Sequence, residues 1–265
     1  IKDLKWPGTA NLTISLVWIY RGIWNASSNL DGKSVSMISE GLIEIDRPVG
    51  EPFILVENSN KSFQGSIVLG SGFVLTPEQA EYLKNKDSRN SDVIFPYLRG
   101  EDFLSRPDQR PSTYVINFFD WPLSKEVAPK GYSGPVAFDY PDCLEIVERL
   151  VKPDRTRRKP NGEFALRKPL PQRWWIYSDK RPALYSTIKG LEKVLFHAFT
   201  GKYVIFDFVL NRYVFAGPHN VFAFEDPNSF GVLQSNLHNA WAWQFCSTME
   251  TRIRYANRNL FETYP

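Results

Sequence analysis

Residues 193–224 read KVLFHAFTGKYVIFDFVLNRYVFAGPHNVFAF, and this stretch decides the fold. β-Branched and aromatic residues fill it, and connections of hairpin length, such as Thr200-Gly201, interrupt it. The pattern predicts an antiparallel meander with strands over 193–199, 202–210, 213–215 and 220–224. Residues 228–245 then carry apolar side chains at helical spacing and predict the longest helix of the chain.

Helices and strands also alternate upstream of this stretch. Thr76-Pro77-Glu78-Gln79 is a capped helix start, Asp142 caps a second helix that Pro153 ends, and Pro182 begins a third. Further strands are predicted over 10–19, 93–98 and 113–118. The chain is therefore expected to be α+β, with mixed and antiparallel sheets, packed helices, and a C-terminal β-meander followed by a long helix.

Positive charge is concentrated between Arg149 and Arg181. This segment holds 11 Lys and Arg against three acids, a local charge of +8, whereas the whole chain carries +3. A concentrated positive field attracts a phosphate backbone, and the neighbouring Trp174, Trp175 and Tyr177 could supply stacking faces. A solvated basic loop beside a tryptophan-rich core is the alternative, and we assign Trp174, Trp175, Trp241 and Trp243 mainly to packing.

Composition limits the remaining possibilities. The chain has 265 residues, 43% hydrophobic and 15% aromatic, which is typical of a globular protein. Two separated cysteines make neither a disulfide framework nor a zinc motif, so a reducing, cytoplasmic setting is expected. No apolar run is long enough to span a bilayer. The chain begins at Ile1 without Met, so we expect a processed product or an excised fragment.

Catalytic motifs are missing from the sequence. It has no HExxH, CxxC, G-x-S-x-G, GxxxxGK[ST] or dinucleotide-type GxGxxG. The glycines of 65–72 are better explained by turns and close strand packing than by a phosphate cradle. Asp142 and Glu145 could suggest a nuclease, but a helix cap and a first-turn acid account for them. We therefore predict no catalytic and no metal-binding residues.

Several strings resemble the C-terminal part of the MmeI-like (type IIL/IIG) restriction–modification enzymes. They run in order from about Lys61 and include GSIVLGSGFVLTPEQA (65–80), SDVIFPYLRGEDF (91–103), RPDQRPSTYVINFFDWP (106–122), YPDCLEIV (140–147), RWWIYSDKRPALYSTIKGLEKVL (173–195), VFAFEDPNSFGVLQSNLHNAWAWQF (221–245) and FETYP (261–265). In this family one polypeptide fuses an endonuclease, an adenine-specific DNA methyltransferase and a target recognition domain.

The resemblance implies a fragment of a larger enzyme. Residues 1–50 would be the end of the methyltransferase domain, 51–225 the DNA target recognition domain, and 226–265 a helical segment that braces it. The partners would be double-stranded DNA and the upstream methyltransferase and nuclease domains. The fragment would hold no cofactor itself, whereas S-adenosylmethionine and Mg²⁺ are implied for the parent, which would methylate adenine N6 on a flipped base.

Candidate DNA contacts fall into two groups. Residues of the basic loop would hold phosphates: Arg155, Arg157, Arg158, Lys159, Arg167 and Lys168. Residues at its end and at the turns of the meander would enter a groove, where Arg and Asn pair with base edges: Arg173, Lys180, Arg181, Lys202, Asn211, Arg212, His219 and Asn220. The alternatives are a scaffold or interaction module without DNA contact, and a free-standing nuclease.

Overall fold

A computed structural model describes residues 1, 4–9, 12–24, 26–39, 42–45, 50–249 and 252–265. They divide into two units, Ile1–Phe53 and Ile54–Pro265. The strands are β1 (Leu4–Lys5), β2 (Thr13–Ile14), β3 (Ser28–Leu30), β4 (Lys33–Val35), β5 (Ser62–Gln64), β6 (Val74–Leu75), β7 (Ile94–Leu98), β8 (Thr113–Ile116), β9 (Lys193–His197), β10 (Thr200–Gly201), β11 (Asp207–Leu210), β12 (Val214–Phe215), β13 (Asn220–Phe222), β14 (Ser247–Met249) and β15 (Arg252–Arg254). The helices are α1 (Pro77–Lys86), α2 (Gly100–Ser105), α3 (Pro141–Leu150), α4 (Lys152–Thr156), α5 (Pro182–Ile188), α6 (Pro227–Leu233), α7 (Asn236–Phe245) and α8 (Asn257–Leu260).

The unit Ile1–Phe53 contains two short antiparallel pairs, β1–β2 and β3–β4. Asp31 and Gly32 connect β3 to β4 with positive φ values of 50° and 86°, as a tight hairpin turn requires. The buried strand predicted over 10–19 is wrong for the described residues after Ile14. Trp18 and Ile19 are 74% and 89% exposed, because no described element covers them. Residues 46–49, next to the domain boundary expected at residue 50, lie outside the described part of the chain.

An antiparallel sheet in the order β11-β9-β13-β5 organises the unit Ile54–Pro265. Its strand β9 alternates between two cores. Val194 and Phe196 pack with α5 on one face, while Leu195 packs on the other face with residues of α6, α7 and α8. β9 is therefore buried on both sides and fixes the register of the sheet.

A second sheet has the order β12-β7-β8-β6, and β12 runs parallel to β7. The predicted meander is therefore wrong. β9 pairs with β11, but β12 belongs to the second sheet, and β13 pairs with the opposite edge of β9. Val214 and Phe215 of β12 lie in two different hydrophobic cores, which explains why β12 pairs with β7 and not with β11. Residues 202–206 pair with no strand, and the side chain of Gln234 bonds Phe206 N and Val204 O instead.

Two of the predicted helix starts are confirmed, and the cap predicted for a third is wrong. Thr76 caps α1 with Gln79, and Pro182 begins α5, as expected. Asp142 does not cap α3: Tyr140 is the N-cap, and the Asp142 carboxylate accepts a bond from Lys86 Nζ at 2.6 Å. A further helix, α2, forms at Gly100–Ser105 and buries Asp102 near its start.

The predicted long helix over 228–245 is two helices. Asp226 caps α6 by accepting from Ser229 N, and Ser235 caps α7 by accepting from His238 N. The second cap ends the first helix because Ser235 offers its hydroxyl to the next turn. Not every apolar side chain of this segment is therefore buried, and Leu237 of α7 is 73% exposed.

Residues 64–67 join the two sheets. Gly65 N donates to His219 O, Ser66 N to Phe215 O, and Ile67 pairs with Asp179 in both directions. A Cβ at Gly65 would lie 2.5 Å from Phe215 O, so only glycine fits this approach. The interpretation of this glycine as a site of close packing is confirmed.

The two adjacent tryptophans belong to the core. Trp174 and Trp175 are 6% and 7% exposed, and Trp175 Nε1 donates to Trp121 O at 3.0 Å. Their assignment to packing is confirmed, whereas Trp243 is 44% exposed and contradicts it. No helix among the described residues is long and apolar enough to cross a membrane.

Candidate nucleic-acid interface

A groove of about 720 Å³ in the unit Ile54–Pro265 brings three arginines together. Arg181 comes from the start of α5, Arg254 from β15 and Arg258 from α8. Its polar lining also includes Ser62, Gln64, Ser247 and Asn257, and its acids are Asp179 and Glu262. The groove can therefore offer several donors to an anionic or hydrogen-bonding ligand.

Arg181 is fixed within this groove by its neighbours. Its Nε donates to Gly65 O and its Nη2 to Gln64 Oε1, both at 3.3 Å, while Nη1 lies 3.1 Å from an oxygen of Asp179. The backbone is held too, because Arg181 N donates to the other Asp179 oxygen at 3.0 Å and φ is 52°. The guanidinium is thus oriented before any ligand binds.

Arg254 and Arg258 are held differently. The Arg254 guanidinium lies 5.2 Å from the ring centre of Phe199, and its strand pairs with Thr200. Neither arginine forms an ion pair with a residue of the described chain. Both are exposed and keep their full charge available to a ligand.

The basic stretch forms an exposed loop after α4. Arg158 and Phe164 make an isolated antiparallel bridge, and Arg158 Nη1 donates to Gly162 O at 2.7 Å. The predicted phosphate contacts that lie exposed on this loop are Arg157, Arg158, Lys159, Arg167 and Lys168. Their positions are compatible with the predicted role, which stays a prediction.

Arg155 does not belong with these residues. It is 1% exposed, and its guanidinium donates to Val68 O at 2.8 Å, Leu69 O at 2.7 Å and Ile176 O at 2.8 Å. Burial lowers the pKa of Arg155 to about 10. The predicted phosphate contact at Arg155 is therefore wrong, because its donors already satisfy carbonyls inside the domain.

Three predicted groove contacts at the turns have structural roles instead. Asn220 is fully buried and donates to Tyr255 O, and the Asn211 amide donates to Ile188 O and Leu191 O. The His219 ring packs against Gly100, whose N lies 2.9 Å from Nε2, and burial lowers the pKa of His219 to about 4. The base-reading role predicted for Asn220 is wrong, since no DNA atom could reach it, and the side-chain bonds of Asn211 and His219 also argue against theirs.

The other predicted groove contacts stay accessible. Lys202 and Arg212 are exposed, whereas Arg173 and Lys180 are half-buried and both pair with Asp120. Only Arg181 of the predicted set lines the groove. No group of three or more His, Cys, Asp or Glu residues in the described part of the chain is placed to hold a metal ion.

Sequence reasoning missed two of the three groove arginines. Arg252 and Arg254 alternate around Ile253, which is the period of a strand with one basic face, and this signal could have found Arg254. Arg258 and Gln64 carry no comparable signal. The groove forms only because β5 and the C-terminal residues meet, and their separation in the sequence hides that meeting.

The C-terminal part of this groove lies in a segment that matches a known family. The sequence model described as MmeI, target recognition domain, matches residues 197–265. Residues 197–265 are therefore similar in sequence to the MmeI target recognition domain. Arg254 and Arg258 fall inside the matched segment, whereas Gln64 and Arg181 come from outside it.

A solved structure has the same fold. It is a Type IIL restriction-modification enzyme, MmeI, in complex with DNA, and it matches with a TM-score of 0.64 at 13% sequence identity. The match covers 88% of this chain and 28% of the MmeI chain, so this chain spans less than a third of the length of that protein. No curated protein matches this chain in sequence. The α+β fold class expected from the sequence is confirmed.

Proposed function

We propose that this chain recognises a specific sequence in double-stranded DNA as the target recognition part of a restriction–modification enzyme. The observation that carries the proposal is the groove of Arg181, Arg254 and Arg258, two of which lie in the segment matched by the MmeI target recognition domain. A groove rich in arginine suits both phosphates and base edges.

The distribution of charge along the chain supports DNA binding by its C-terminal part. Residues 149–265 contain 18 Lys and Arg against nine acids, a net charge of +9, whereas residues 72–148 carry −5. Such a separation favours one orientation of a polyanion during encounter. DNA is therefore expected to approach the groove and the exposed loop of Arg157 and Arg158 rather than the acidic segment.

The test measures binding of the 265-residue chain to labelled duplexes over a series of salt concentrations. We expect measurable binding at low salt, a steep linear fall of log affinity with log salt, and enrichment of one motif from randomised duplexes. Absence of binding at low salt, or binding that enriches no motif, would contradict the proposal and favour a scaffold without its own DNA contact.

We further propose that the parent polypeptide fuses this chain to an S-adenosylmethionine-dependent adenine-N6 DNA methyltransferase and an endonuclease. The coverage of 28% of the MmeI chain supports a larger protein, and the exposed apolar side chains of residues 16–24 support a further domain beside the unit Ile1–Phe53. Methylation mapping of DNA from cells that express the full polypeptide tests this. One methylated adenine in one motif is expected, and unmodified DNA would contradict it.

A further inference from the structure

We infer that Arg181 reads the major-groove edge of one guanine within the DNA sequence that the chain recognises. The inference rests on the proposed function and adds to it the base and the residue. Guanine presents two acceptors, O6 and N7, on this edge, and an arginine fork can bond both at once.

The hydrogen bonds of Arg181 leave such a fork available. A guanidinium carries five N–H groups. One on Nε is donated to Gly65 O and one on Nη2 to Gln64 Oε1, while Nη1 lies beside Asp179. At least one N–H therefore remains on each terminal nitrogen, and the side chain is 29% exposed where it lines the groove.

The neighbours of Arg181 favour a base edge over a phosphate. Asp179 offsets much of the charge of Arg181, which weakens attraction to an anion but leaves its directional donors in place. Arg254 and Arg258 have no ion-pair partner in the described chain and suit phosphates better. The groove thus combines one oriented arginine with two that retain their full charge.

Preorganisation adds to this difference. Asp179 binds both the backbone N and the guanidinium of Arg181, and Gln64 and Gly65 hold the opposite side. Because the side chain is already ordered, little rotamer entropy is lost when it meets a base. Lysine could not replace it, since a single ammonium lacks the fork.

The experiment selects bound sequences from randomised duplexes with the wild-type chain, Arg181→Ala and Arg181→Lys, and then substitutes 7-deazaguanine at each guanine of the motif. For the wild type, one such substitution should lower affinity about tenfold, because it removes the N7 acceptor. Both variants should lose the preference for that guanine alone, and 7-deazaguanine should then have no further effect at this position.

Two controls separate the alternatives. Arg149→Ala removes an exposed arginine on α3 outside the groove and should leave the motif unchanged. Arg254→Ala with Arg258→Ala should weaken binding to all duplexes while the motif persists. Arg181→Lys covers the case in which Arg181→Ala does not fold, as judged by circular dichroism.

The outcomes are distinguishable. If the wild type enriches a motif but the Arg181 variants keep every guanine preference, the inference is wrong and the proposed function stands. The same holds if the Arg181 variants weaken all sequences equally, since Arg181 would then contact phosphate. If the wild type binds no DNA or enriches no motif, the proposed function and this inference both fail.

Discussion

Oδ1 of Asp120 lies 2.6 Å from Nη2 of Arg173, and the same oxygen lies 2.5 Å from Nζ of Lys180. Partial burial acts to raise the pKa of Asp120, but the Lys180 bond and the Arg173 charge outweigh it and hold the pKa below its ordinary value. One carboxylate, itself 64% exposed, therefore occupies two cations that were expected to contact DNA. A phosphate would have to compete with Asp120 for both.

Asp120→Asn should strengthen binding to all duplexes by roughly threefold to tenfold at low salt, because it frees two half-buried cations from one shared carboxylate. The gain should disappear as salt rises. Asp108→Asn is the matched control, since Asp108 pairs with Arg106 in the acidic segment. Titration of a labelled duplex measures the effect, and equal gains in the two variants would mean that only net charge had changed.

Replacing Arg157 and Arg158 together by Ala should weaken binding about equally for all sequences. If both hold phosphates, the slope of log affinity against log salt should fall by about 2. Lys125→Ala with Lys130→Ala removes the same charge from exposed positions outside the basic segment and should change the slope little. A selective loss at one base position would contradict the phosphate role.

Arg155→Met should destabilise the domain by about 3 kcal/mol, because two buried carbonyls and one partly buried carbonyl lose their donor. Urea unfolding followed by circular dichroism measures this loss. Arg157→Met, at an exposed position two residues on, should change stability by less than about 0.5 kcal/mol. Equal stability of the two variants would show that Arg155 does not hold the loops around Leu69 and Ile176 together.

Stability should fall as the pH drops below about 6.5. Burial lowers the pKa of His197 to about 3. Between pH 6.5 and 3 the unfolded chain therefore binds a proton at this histidine and the folded chain does not, which favours unfolding. His219 and His238 act in the same direction, with pKa values of about 4. Each histidine contributes a loss of at most about 1.4 kcal/mol of unfolding free energy per pH unit, and only between pH 6.5 and its own folded pKa.

His197→Leu isolates one of these contributions. Both ring nitrogens of His197 lack a hydrogen-bond partner among the described residues, and Phe206 and Tyr255 surround the ring. The variant should be at least as stable as the wild type at pH 7.5 and should lose less stability between pH 6.5 and 5. An unchanged pH dependence in urea unfolding would show that His197 does not titrate as its burial implies.

Local signals in the sequence predicted local structure well. The four residues Thr76-Pro77-Glu78-Gln79 contain the capping box and the proline that determine where α1 begins. Burial of Trp174 and Trp175 also followed from side-chain size alone.

Long-range pairing was beyond the same reasoning. Val214 and Phe215 look like the next strand of a meander, yet they pair with Tyr97 and Leu98 more than a hundred residues earlier. The groove depends on the same kind of contact, because Gln64 and Arg258 meet only in the folded domain. Arg155 was predicted to lie on the surface because it is charged. The sequence does not show that the folded domain places backbone carbonyls around its guanidinium.

The sheet β11-β9-β13-β5 has a practical consequence for exchanging specificities between relatives. Its edge strand β5 comes from the beginning of the unit Ile54–Pro265, while the other three strands come from residues 193–222. A graft limited to residues 197–265 would cut β9 between Phe196 and His197, so that β5 and most of β9 would come from the recipient while β11 and β13 came from the donor. A transplant that begins at Ile54 keeps every strand with its native neighbours.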